Sequence, residues 1–310
     1  MQDRTISKKM QKLSLYFILS LHFILDFVYL FDEFMPAKKS IFLIDIEEIL
    51  RKKASKVYPK IPKFVINWLK RLIYQDGLND FLTKNDGVEG LDFMKNAVEY
   101  FQLTLHLEGE ENIPQSDEKF IFASNHPLGG LDGICLSAVL GEKYHGKIKY
   151  LVNDILYFIE PLRKIFVPIN KHGRQAKEGA QVINEAFDSE NQIITFPAGL
   201  CSRKQNGKIE DLEWKKMFIV KAVEYQRNII PVYFIARNSS FFYRLANIRK
   251  FLGLKFNIEM LFLPREMFKS KGSSYIIRFG EPISWKTFDS SKTPLVWAQN
   301  VKEIVYHLEK

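Results

Sequence analysis

From residue 103 onward the apolar residues fall in short unbroken runs instead of strict alternation. "KFIFASN" (119–125), "KIKYLVN" (147–153), "QIITFPAG" (192–199), "NIIPVYFIA" (228–236) and "SYIIRFGEPI" (274–283) are rich in β-branched and aromatic residues. Between them, "LDGICLSAVL", "RQAKEGAQVINEAF" and "LEWKKMFIVKAVEYQ" carry helical spacing, and "TPLVWAQNVKEIVYHLE" predicts a closing helix. Strands that are apolar on both faces and separated by helices predict an α/β fold, a mostly parallel β-sheet flanked by helices. In such sheets the chemistry sits at the carboxyl ends of the strands. Only "LTLHLEGEENIP" (103–114) alternates before turning at Gly109 and Pro114, so it predicts a strand running into a loop.

Upstream the period changes. From Ile41 to about Tyr100 the pattern is helical, with Phe64, Trp68, Leu69 and Leu72 at helical spacing and Lys60, Lys63, Lys70 and Arg71 beside them. Two arrangements satisfy this pattern. The segment either lies in a membrane interface, aromatic residues inward and lysines toward anionic headgroups, or packs on the rest of the protein with its lysines solvated. Further upstream, Leu13 to Phe31 is nearly long enough to span a bilayer and follows Lys8, Lys9 and Lys12. Asp26 within it would cost about 3 kcal/mol at the bilayer centre. An N-terminal membrane anchor and a start of translation at Met35 are the competing readings. The expected organisation is therefore an apolar extension over 1–34, a helical, basic, membrane-associating segment over 35–102 and a catalytic domain over 103–310.

Charge narrows the partners. Lys and Arg exceed Asp and Glu by 45 to 36 over 310 residues, giving +9, which favours anionic surfaces: phospholipid headgroups, an acidic carrier protein or nucleic acid. The basic residues are dispersed and show no RNA-recognition or helix-turn-helix signature, so nucleic acid is not expected. Cys135 and Cys201 have no metal-type spacing and form no disulfide framework. No metal is expected, because the six histidines are scattered without Cys or carboxylate at ligand spacing.

The chemistry concentrates in "SNHPLGGLDG" (124–133). Pro127 disfavours helical backbone at His126, so the strand should stay extended through the histidine. Gly129 and Gly130 permit a tight turn, and Asp132 falls in the first turn of the next helix, where the dipole favours its charge. The turn can return the carboxylate to His126 Nδ1, leaving Nε2 as the acceptor that a general base needs. For an isolated His-Pro turn the competing reading is structural, with Asp132 capping a helix and His126 bonded to a backbone carbonyl.

The order of the motifs resembles the lysophospholipid (PlsC-like glycerolipid) acyltransferase family over roughly Leu103 to Trp285. Its Asn-His-then-Asp motif corresponds to Asn125, His126 and Asp132; its basic second block to "IFVPINKHGR", with Lys171 and Arg174; its F-P-E-G-T-R-S block to "FPAGLCSR", Phe196 to Arg203; its proline-interrupted strand to "IIPVYF". Two departures stand out. Five residues, not the usual four, separate His126 from Asp132, a doubled-glycine form similar to the haemolysin-like and lyso-ornithine or glycine lipid O-acyltransferase branch. Ala198 replaces the glutamate used by relatives that act on glycerol phosphates, which turns the expected acceptor from lysophosphatidate to a lyso-amino lipid.

The resemblance implies acyl transfer from a thioester, acyl carrier protein or coenzyme A serving as donor, to a lipid hydroxyl, with no other cofactor and no acyl-enzyme. His126 would be the base and Asp132 its orienting partner. Asn125, Gly129, Gly130, Lys171, Arg174, Phe196, Pro197, Gly199, Ser202 and Arg203 would form the substrate site. Among them, amides of Gly129, Gly130 or Gly199 are candidates for an oxyanion site, and Lys171, Arg174 and Arg203 for an anionic headgroup or the donor's phosphate. Membrane lipids are the expected partners and the cytoplasmic face of the membrane the expected location. The alternatives are a 1-acylglycerol-3-phosphate acyltransferase and, from another class, a catalytically silent lipid-binding scaffold.

Overall fold

Seven strands form one sheet, whose inner strands are buried on both faces and must be covered twice. The computed structural model describes residues 43–309 apart from 54, 56–57, 115–117, 153–158, 170–174 and 255–256. The apolar stretch 13–31, Met35, Lys171 and Arg174 lie outside the described residues. In chain order the strands are β1 (Thr104–Glu108), β2 (Phe120–Ser124), β3 (Ile148–Val152), β4 (Phe166–Pro168), β5 (Gln192–Thr195), β8 (Asn228–Ile235) and β9 (Ser274–Phe279), with a separate hairpin of β6 (Arg203–Gln205) and β7 (Lys208–Glu210). The sheet order is β1-β9-β8-β2-β5-β3-β4. All neighbours run parallel except β8 and β9. The fold is thus α/β with a mostly parallel sheet, and β1 and β9 together run against the other five strands.

Alternation along β2 distributes the core. Phe120 and Phe122 face one side with Ile194, Val232 and Phe234, while Ile121 and Ala123 face the other with Ile193, Ile229 and Tyr233. Helices α4 (Gly90–Tyr100) and α5 (Leu131–Lys143) cover the first face. On the second face lie α7 (Met217–Glu224), through Phe218, Ile219 and Ala222, and α10 (Pro294–His307), through Ala298, Val301 and Val305. Between β4 and β5 runs α6 (Gln175–Asp188). Trp214, expected within the helix that became α7, instead fills the core from the loop ahead of it.

The helical segment upstream is not one unit. From α3 (Gln75–Lys84) and α4, Phe81, Leu82, Phe93, Met94 and Ala97 join the same core as the sheet, so the boundary expected at residue 102 separates no two cores. Only α1 (Ile46–Lys53) and α2 (Lys63–Leu72) build a core of their own, from Ile46, Leu50, Ile66, Leu69 and Leu72. On α2 this inward set leaves Phe64, 73% exposed, and Trp68 pointing outward. Of the lysines beside them, Lys70 is ion-paired with Glu47. Two helices were not foreseen, α8 (Ser240–Phe251) and α9 (Leu263–Lys269), which follow β8 and precede β9, and neither was the β6–β7 hairpin.

Candidate active site

The parallel strands β2 and β5 end together, and their carboxyl ends open into the turns that begin at Asn125 and Phe196. Asn125 ties β2 to β8: its Nδ2 donates to Phe234 O at 3.1 Å and its Oδ1 accepts from Phe234 N at 2.7 Å. The amide side chain thereby extends the ladder one step past the strand. Both of its polar ends are engaged, so Asn125 positions the turn, with one Nδ2 hydrogen beyond those two bonds.

His126 follows, side chain 10% exposed, with Nδ1 3.0 Å from Oδ2 of the fully buried Asp132. The same Oδ2 accepts from the amides of Leu128 at 2.9 Å and Gly129 at 3.3 Å, and Oδ1 accepts from Gly133 N at 2.9 Å. The carboxylate is fixed by three amides and can only accept, so the proton between the pair belongs on Nδ1 and Nε2 is the basic nitrogen. Among the described residues Nε2 has no partner. The extra residue in the turn is absorbed where Gly129 takes φ +87°, and a Cβ there would lie 2.8 Å from the Leu263 side chain. The imidazole packs on the Phe196 ring at 4.3 Å between centroids.

Burial is the largest single influence on His126 and pulls its pKa down. The Asp132 charge and hydrogen bond, with the Asp211 charge, outweigh it, and the net pKa stands above the ordinary 6.5. The two cysteines fit no nucleophilic role: both are buried, and burial pushes the thiol of Cys201 up to about 11 and that of Cys135 higher still.

Asp211 is a site residue that sequence reasoning missed. It is fully buried, and its Oδ1 accepts from His126 N at 3.1 Å and Ser202 Oγ at 2.6 Å, while Oδ2 accepts from Trp214 Nε1 at 2.9 Å. The Ser202 amide returns a bond to His126 O at 2.7 Å. The β6–β7 hairpin explains the meeting: Arg203 pairs with Glu210, so Ser202 and Asp211 are the next pair beyond the ladder. Asn206 and Gly207, both at positive φ, make its two-residue turn. That Asn-Gly pair was the signal in the sequence.

Several expected substrate contacts are placed otherwise. Arg203 is buried, not presented to a headgroup: Nη1 donates to Cys201 O at 2.6 Å and Nη2 to Oε1 of the buried Glu259 at 2.9 Å. Glu259 Oε2 also stands 3.1 Å from Arg249 Nε. A guanidinium held this way anchors the turn, because leaving Glu259 unpaired would be strongly destabilising. Ser202 is committed to Asp211. The amide of Gly129 is committed to Asp132, and that of Gly199 donates to Phe196 O at 2.9 Å, so neither is available to an oxyanion. Gly130 N alone of the three has no acceptor among the described residues.

A second missed residue lies over the same turn. Lys215 N donates to Pro197 O at 3.0 Å, and its Nζ stands 3.0 Å from where a Cβ on Gly199 would sit. The side chain is exposed and, among the described residues, has no acidic partner. An uncompensated ammonium therefore overlies the "FPAG" turn, whose phenylalanine packs against the His126 imidazole.

The site is a strand-end histidine gripped by a carboxylate, on a mostly parallel sheet with a glycine turn before the next helix, and a family model described as "Acyltransferase" matches residues 48–309. The chain belongs to that family and is an acyltransferase. Among its relatives, the lyso-glycine lipid O-acyltransferase of Bacteroides thetaiotaomicron is 51% identical over 269 residues, covering 87% of this chain and 98% of that protein. The protein of the same name from Phocaeicola vulgatus is 49% identical over 269 residues, covering 87% and 96%. Among solved structures, the 1-acyl-sn-glycerophosphate (LPA) acyltransferase PlsC from Thermotoga maritima is 19% identical with a TM-score of 0.46, over 99% of this chain and 98% of that one.

Proposed function

We propose that the protein transfers a fatty acyl group from an acyl thioester to the free hydroxyl of a lyso-glycine lipid, using His126 as general base. The observation that carries this reading is the His126–Asp132 pair, held in a chain about half identical to two proteins named for that reaction. In the forward step Nε2 takes the hydroxyl proton as the oxygen attacks the thioester carbonyl. The C–O bond forms, the C–S bond breaks, and the departing thiolate takes the proton back from the imidazolium. Asp132 keeps the ring in the required tautomer and stabilises the transient cation. Gly130 N is the amide left to meet the developing oxyanion. Both acyl carrier protein and coenzyme A thioesters satisfy this chemistry.

The acceptor reading is tested by supplying purified protein with an acyl thioester and, in parallel, an N-acylated glycine bearing a free hydroxyl, its ornithine counterpart and lysophosphatidate. Mass spectrometry is expected to find the diacylated glycine lipid as the main product. Phosphatidate as the only product would overturn the assignment and restore the 1-acylglycerol-3-phosphate reading. Running each acceptor with both thioesters identifies the donor.

Lys215 supplies the charge that Arg203 does not, to the carboxylate of the acceptor. Hydrogen bonds to charged groups contribute about 1.5–3 kcal/mol, so Lys215→Met is expected to raise KM for the glycine lipid by roughly 10- to 100-fold with a smaller change in kcat. An unchanged KM would remove Lys215 from acceptor recognition.

Membrane lipids as partners also accord with α2, where Phe64 and Trp68 stand outward among Lys60, Lys63 and Arg71. Among the described residues no helix is long and apolar enough to cross a membrane. Contact at the cytoplasmic surface through this face is the location we propose.

A further inference from the structure

Helix α8 has two apolar sides. Its inward side buries Phe242, Tyr243 and Ala246, and Phe242 and Tyr243 pack with Cys201 beneath the site turn. Its outward side carries Phe241, Ile248 and, just past the helix end, Leu252, all within a narrow arc at 100° per residue, with Phe251 at the flank. These residues should be polar on a helix that faces water. Instead Ile248 is 56% exposed, Phe251 is 90% exposed, and Phe241, Leu252 and Leu254 are exposed as well. A contiguous apolar patch of this kind marks an interaction surface.

The charge around the patch says what covers it. Helix α8 contains Arg244, Arg249 and Lys250 and no acidic residue. Arg249 faces the buried Glu259, whereas Arg244 and Lys250 are exposed and make no ion pair among the described residues. Arg265 stands with its guanidinium 5.0 Å from the Phe241 ring centroid. Two carboxylates of the neighbouring elements are buried and turned inward: Glu259 to the two arginines and Glu266 to Ser239. Apolar residues outward, flanked by uncompensated cations, match an anionic lipid–water interface, with rings and aliphatic chains below the headgroups and cations at their level.

The patch is also joined to α1 and α2. Phe241 packs edge-on against Phe262 at 5.0 Å, and Phe262 and Leu261 pack on the core of the α1–α2 pair. The inward core of the α1–α2 pair is thus joined to α8 through an aromatic contact. We infer that α8 is a second membrane-contacting face, which seats the protein on an anionic bilayer together with α2 and presents the end of β2 to lipids that never leave the membrane. The choice of a bilayer as occupant rests on the lipid acceptor proposed above.

The test uses the full chain, with Phe251→Asp and Ile248→Asp/Phe251→Asp as variants and α2 left intact. Partition is measured by flotation with phosphatidylcholine vesicles, with and without phosphatidylglycerol, and acyl transfer is measured with acceptor dissolved in detergent micelles. Replacing one or two of these exposed apolar side chains is expected to weaken binding to phosphatidylglycerol vesicles about tenfold or more, with the micellar rate unchanged. Arg244→Gln and Lys250→Gln are expected to weaken it about fivefold each, only on anionic vesicles and less so at high salt. Vesicle binding equal to the parent's in the Phe251→Asp and double variants would overturn the inference. It would also be overturned if sedimentation showed that the face joins two copies in lipid-free solution while vesicle binding stays unchanged. Absence of acyl transfer by the parent in micelles would count against the proposed reaction instead, leaving the partition result to stand by itself.

Discussion

Replacing His126 by alanine is expected to lower kcat by about 10²- to 10⁴-fold, the usual contribution of a positioned base. On the alkaline side, where the imidazole is neutral, the thermal midpoint should change little, since the ring there contributes one side-chain hydrogen bond and a ring contact. Steady-state kinetics with a saturating thioester measures the loss, and a rate within a few-fold of the parent's would remove the imidazole from the mechanism. The pH profile gives an independent check. A base must be neutral to act, and the pKa of His126 is raised, so kcat/KM should climb through a value above 6.5 and level off on the alkaline side. Asp132→Asn removes the charge that raises it. That variant is expected to shift the ascending limb to lower pH while reducing the plateau, because an amide can present its NH₂ to Nδ1 and favour the wrong tautomer. The same linkage bears on stability. A raised imidazole pKa stabilises the fold fully below 6.5, and that contribution fades as pH rises through the folded-state value. The window in which the base becomes competent is therefore the window in which this part of the stability is lost, and melting curves across it should show a decline that His126→Ala abolishes.

What the sequence disclosed and what it hid have physical reasons. The strands were legible because burial on both faces leaves an unbroken apolar run, and the His126–Asp132 pair because proline and glycine leave the turn few conformations. The roles of Arg203, Asn125 and Ser202 were not, because a polar residue inside a motif looks the same whether it faces substrate or a buried partner. Glu259 lies 56 residues away from the guanidinium that it holds, and no local pattern announces such a contact. Helix α8 escaped for a related reason: with apolar residues on both sides, "SFFYRLANIRKF" has no clean amphipathic period, which is the property that makes its outward face informative once the inward one is known.

Asp211→Asn is expected to destabilise the protein by about 3 kcal/mol and to lower activity although the residue touches no reacting atom. Three donors from separate parts of the chain converge on this carboxylate: the His126 amide, the Ser202 hydroxyl and the Trp214 indole. A carboxylate accepts all three; an asparagine must turn its own NH₂ toward one of them, leaving a buried donor without an acceptor. Burial raises the pKa of Asp211, with the Ser202 and Trp214 hydrogen bonds and the His126 charge pulling the other way. Denaturant titration reads the stability loss, and kinetics below the new midpoint separates it from loss of positioning. If Asp211 sets the height of His126 over Phe196, kcat should fall while KM for the acceptor changes little. If it serves the fold alone, the folded fraction of Asp211→Asn should turn over at the parental rate. Asp211→Glu, which keeps the charge and accepts the same donors with one methylene more, is expected to recover stability before it recovers rate, because the site responds to displacement as well as to the number of bonds.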